Sequence, residues 1–61
     1  MTVGEMLDYT NRLKEILSSR LPADVRFMRL DNLMMDVEDA YVNDEFASRL
    51  YLTAAEYKEV S

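Results

Sequence analysis

Met28, Met35 and Val42 recur seven residues apart, and Phe27, Leu30, Met34, Val37 and Tyr41 recur beside them in steps of three and four. On a helix turning about 100° per residue, the second set fills an arc from roughly 40° to 180°. The first set fills a narrower arc from roughly 240° to 280°. Asp31 and Glu38 fall in the gap between the two. A helix with one apolar stripe covers one core, whereas a helix with two must be covered from two sides. In a chain of 61 residues the second cover is either the C-terminal segment or another molecule.

Size sharpens that choice. The length allows one domain, residues 1–61. At this size apolar burial and chain entropy nearly cancel, so small domains commonly add a disulfide, a metal or a second subunit. The chain has no Cys and no His. Disulfides, thiolate metal sites and the commonest zinc, copper and iron sites are therefore excluded. No cofactor is expected. Self-association remains, and a homo-oligomer, first of all a dimer, is the expected state; the alternative is a small, well-packed helical monomer.

The first helix is well marked. Thr2-Val3-Gly4-Glu5 has the form of a capping box, with Thr2 as N-cap and Glu5 at the third helical position. Val3, Met6, Leu7, Thr10, Leu13, Ile16, Leu17 and Leu21 then share one face, with Tyr9 at its edge. Pro22 disfavours helical geometry at Leu21 and ends the helix. So short a connection predicts an antiparallel helical hairpin. The second helix is predicted over residues 23–43, its large stripe opposed to helix 1.

Beyond Asn43 the signals are shorter. Asn43-Asp44-Glu45 is a predicted break. Thr53 and Glu56 have capping-box spacing, and Leu52 and Tyr57 could form the hydrophobic staple. These predict a last helix of barely two turns ending near Val60. The expected fold is all-α, a helical hairpin plus a short C-terminal helix, as a three-helix or dimeric bundle. The alternative is a small α+β fold in which Val25–Leu30 pairs with Arg49–Leu52 as a two-stranded element. Its alternation is poor, because one face would carry Val25, Phe27 and Arg29.

Catalytic chemistry finds no footing. Ser residues have no His to activate them, and no Gly-rich phosphate loop exists. Asp36-Val37-Glu38-Asp39 lacks the Gly and the third ligand of a calcium loop. The chain is expected not to be an enzyme. A net charge of −5 is a poor basis for direct binding to nucleic acid or to an anionic membrane surface. No apolar run approaches the roughly 20 residues that span a bilayer. The first residues include Glu5 and Asp8 and no basic region, unlike a signal peptide. The expected location is the cytoplasm.

Two features point to an interaction role. Asp24, Asp31, Glu38 and Glu45 repeat every seven residues, a spacing at which charges select helical partners. The bland reading of this acidic stretch is a solvated helix face. The Met stripe is open to two readings as well. Met fills gaps in cores, and Met-rich surfaces adapt to partners. The candidate interface is Met28, Met35, Val42, Phe46, Asp31, Glu38 and Tyr51. The expected function is a small acidic protein–protein interaction module, such as an adaptor, inhibitor or regulatory subunit. Small acidic chains of this kind are common products of phages and other mobile elements. The alternatives are a self-associating assembly subunit and, third, a nucleic-acid-related role such as DNA mimicry.

Overall fold

The protein, described here from a computed structural model over residues 1–60, is an all-α bundle of three helices. They are α1 (Val3–Ser18), α2 (Ala23–Glu38) and α3 (Glu45–Glu59). No strand forms among the described residues, so the two-stranded alternative is not realised.

α1 begins as its sequence dictates. The Glu5 backbone N–H donates to Thr2 Oγ1 at 3.1 Å, and the Thr2 N–H donates to Glu5 Oε1 at 3.0 Å. Two of the four orphan donors of the first turn are thereby satisfied. The helix ends at Ser18, before Leu21. The Ser18 and Ser19 hydroxyls donate back to the carbonyls of Lys14 and Glu15 at 2.7 and 2.6 Å. Such local bonds compete with helix propagation and suit a terminus.

α2 ends earlier than the sequence predicts, at Glu38 instead of Asn43. Its last turn holds Asp36 and Glu38 and no basic residue, and Asp39 follows. Acidic groups there oppose the negative end of the helix dipole. Residues 39–43 close instead as tight turns, with N–H groups of Ala40 and Tyr41 bonded to the carbonyls of Val37 and Glu38. Asp44, and not Asn43, then caps α3 by accepting from the Ala47 N–H at 3.1 Å.

α3 is a full helix and not the short one expected. Thr53 does not cap it. Its hydroxyl donates to the Arg49 carbonyl at 2.8 Å, within a continuous helix. Burial of Leu50 and Ala54 on either side of Thr53 holds that stretch helical.

The core is formed by Ile16 of α1, Leu30, Leu33, Met34 and Val37 of α2, and Ala47, Leu50 and Ala54 of α3. α2 lies between the other two, and α1 touches α3 in few places. Arg12 of α1 reaches Asp36 at 2.6 Å on one edge of α2. Lys58 of α3 reaches Asp31 at 2.7 Å on the other. On the helical wheel those acids stand at about 0° and about 220°, bracketing the large stripe. That stripe is broad because it seats two helices. Met34, expected to face α1, lies against α3, where it lines a cleft with Ala55 and Lys58.

Leu17 and Val60 line one cavity with Arg26, so α1 and α3 end at one level. Lys58, near the end of α3, reaches Asp31 and stands over Phe27 in the first half of α2. At the opposite end the turn at residues 39–44 sits beside the starts of α1 and α3. There the Met1 ammonium donates to Asp44 Oδ2 at 2.7 Å.

Asp44 and Glu5 respond to acid with a defined sign. Hydrogen bonds from the Met1 ammonium and the Ala47 N–H hold the Asp44 carboxyl below its ordinary value of 3.8. Bonds from Thr2 hold Glu5 below its ordinary 4.5. A carboxyl lowered in the folded state stabilises fully above its ordinary value and loses that contribution as pH falls through the lowered one. The thermal midpoint should therefore decline as pH falls below about 4. Asp44→Asn keeps an N-cap acceptor without a titratable charge. A melt series from pH 2 to 7 should show a shallower acid decline for this variant. An unchanged slope would remove Asp44 from the account.

Candidate functional site

Three surfaces account for the candidate residues. The first is the outward face of α2. Its inner arc is filled by α1 and α3, so Met28 and Met35 point away from both, 56% and 61% exposed. Val42 does not continue this stripe. It lies in the turn after α2, and the expected third member of the row is displaced to the end of the bundle.

The second surface lies at that end. Glu38, Tyr41, Val42 and Tyr51 line an open groove of about 460 Å³. The α2–α3 turn folds Tyr41 back toward α3, where its ring meets that of Tyr51 edge to face, centroids 4.9 Å apart. Both rings are half-buried, whereas Val42 is 86% exposed. Three of the predicted interface residues, Glu38, Val42 and Tyr51, are thus brought together. Tyr41 joins them, although its spacing placed it on the core stripe.

The third surface is the α2–α3 seam. The Lys58 Nζ donates to Asp31 Oδ1 at 2.7 Å and lies 4.6 Å from the centre of the Phe27 ring. Asp31 is therefore committed within the chain. Phe46 is half-buried and packs against the core, as Tyr51 does, but does not line the groove. The heptad row of acids is broken likewise, because Glu45 belongs to α3 and pairs with Arg49 at 2.8 Å.

Sequence reasoning missed the incompleteness of α1. Its amphipathic face is the clearest in the chain, yet only Ile16 is buried. Val3, Leu7 and Leu17 remain exposed. The signal was present in the wheel. Ile16 and Tyr9 lie at one flank of the apolar arc and Val3 and Leu7 at the other, about 120° or more away. One neighbour cannot cover so wide an arc.

Among the described residues no group of three or more acidic side chains is placed to hold a metal ion. No helix among them is long and apolar enough to cross a membrane. No buried side-chain polar atom lacks a hydrogen-bond partner among them. No protein-family model, curated protein or solved structure matches the chain.

Proposed function

We propose that this protein is a protein–protein interaction module, working as an adaptor, inhibitor or regulatory subunit in the cytoplasm, with no catalytic chemistry of its own. The observation that carries this reading is the outward face of α2. Met28 and Met35 are a heptad apart on a rigid helix and no helix of the chain covers them. Met is suited to such a face because its flexible thioether adapts to the surface that meets it.

Light scattering on the wild type and on Met35→Asp tests it. The wild type should be a dimer at micromolar concentration. Met35→Asp should keep its helical circular dichroism and a cooperative melt, with a midpoint lowered only by the dimer's contribution to stability. It should lose its oligomer. A wild type running at 7.1 kDa, together with a Met35→Asp variant that unfolds, would remove the support for this reading.

Self-association as the whole function is the second reading, and α1 favours it. Val3 and Leu7 are 76% and 59% exposed on a helix built to be covered. In that case Leu7→Asp, and not Met35→Asp, should be the variant that releases monomer.

A further inference from the structure

The side-chain charge of this bundle is not spread over it. At the end that carries the α2–α3 turn stand Glu5, Asp8, Asp36, Glu38, Asp39, Asp44 and Glu45, opposed by Arg12 and Arg49. Over the rest of the chain Lys14, Arg20, Arg26, Arg29 and Lys58 balance Glu15, Asp24, Asp31, Glu56 and Glu59. The turn end therefore carries the entire side-chain net charge of −5, offset by one unit by the Met1 ammonium paired with Asp44. Both of its guanidinium groups are engaged, Arg12 with Asp36 and Arg49 with Glu45. Glu38 and Asp39 have no ion pair among the described residues, and both are exposed. The Tyr41–Tyr51–Val42 groove opens beside them.

We propose that this groove docks a basic segment of a partner protein, which seats one apolar side chain against Tyr41, Tyr51 and Val42 and sets Lys or Arg against Glu38 and Asp39. The inference rests on the interaction reading and assigns it a second surface and a partner chemistry. Charge selects the occupant. An acidic peptide or a nucleic acid meets like charge here, and a basic one is steered in. The two rings favour a docking role, because their edge-to-face packing fixes them before a partner arrives and little side-chain freedom is lost on binding. On the Met face, Met28 lies in the balanced part of the bundle, where charge does not select an occupant, while Met35 stands next to Asp36 at the turn end.

The test is a titration of the isotope-labelled full chain, followed by amide NMR shifts, with three short synthetic peptides. One alternates lysine and leucine, one replaces every lysine by glutamate, and one replaces every leucine by alanine. The lysine–leucine peptide should give saturable shifts centred on residues 38–43 and on Tyr51, weakening as salt is added. The other two should bind about tenfold more weakly or less. Two exposed substitutions keep the fold out of question. Glu38→Lys should weaken the lysine–leucine peptide by about tenfold, and Val42→Ser by several-fold.

Equal binding of the glutamate peptide overturns the proposal, as does the absence of saturable shifts. Saturable shifts centred on Met28 and Met35 overturn the groove while leaving the interaction reading in place. Loss of the interaction reading is measured separately, by the oligomeric state of Met35→Asp.

Discussion

Val37→Asp should leave the chain without a cooperative thermal transition, and Met34→Asp should do the same. Val37 is fully buried and Met34 nearly so, in a core without any polar or charged residue. An ionised carboxylate placed there finds no partner and costs about 5 kcal/mol or more, or is protonated at a comparable cost. A domain of this length is worth only about 3–9 kcal/mol in total. Met35, the next residue after Met34, faces solvent. Met35→Asp should therefore still melt cooperatively, losing at most the dimer's contribution to stability. Far-ultraviolet circular dichroism against temperature on the three variants reads the contrast directly. A cooperative melt for Val37→Asp would mean that the core is not where the structure places it.

Ala54→Leu should lower the melting temperature by about 10 °C. Ala47 and Ala54 are both completely buried, one heptad apart with Leu50 between them, where α3 presses on the core. Small side chains let the two helix backbones approach closely there. Three extra carbons at Ala54 have no space and must push α3 off α2. Such overpacking costs about 1–3 kcal/mol. In a domain of this size each kcal/mol moves the midpoint by about 4–8 °C. Leu52→Ala on the exposed side of the same helix is the control, and its midpoint should shift by a few degrees at most. The comparison also tests the continuity of α3. Were a new helix to start at Thr53, Ala54 would occupy its first turn and tolerate Leu well, so a neutral result would favour that local signal over the observed helix.

Where local chemistry alone decided an element, the sequence was sufficient. Thr2 and Glu5 cap α1 through bonds that span three residues and need nothing else of the fold. Pro22 disfavours a continuous helix through Leu21, although α1 ends earlier, at Ser18. The period of the apolar residues required helices, but it left open whether the C-terminal segment or another molecule would cover the second stripe of α2, whose Met28 and Met35 face outward from the bundle.

Tertiary structure decided the rest, because the competing local signals were nearly equal in energy. Thr53 and Glu56 offered a helix start worth about 1 kcal/mol. Burying Leu50 and Ala54 in one continuous helix outweighs it, and that burial depends on α2, which is distant in sequence. The end of α2 was ambiguous for the same reason, since residues 39–43 contain neither Gly nor Pro. Their path is set by the Asp44 cap and by Tyr41 meeting Tyr51. That turn carries Val42 off the Met stripe and into a groove with Glu38 and Tyr51. Periodicity along one helix specifies which residues share a face. Which faces from different helices meet depends on how the chain reverses between them, and here the α2–α3 reversal gathers the groove while both reversals together gather the net negative charge at one end.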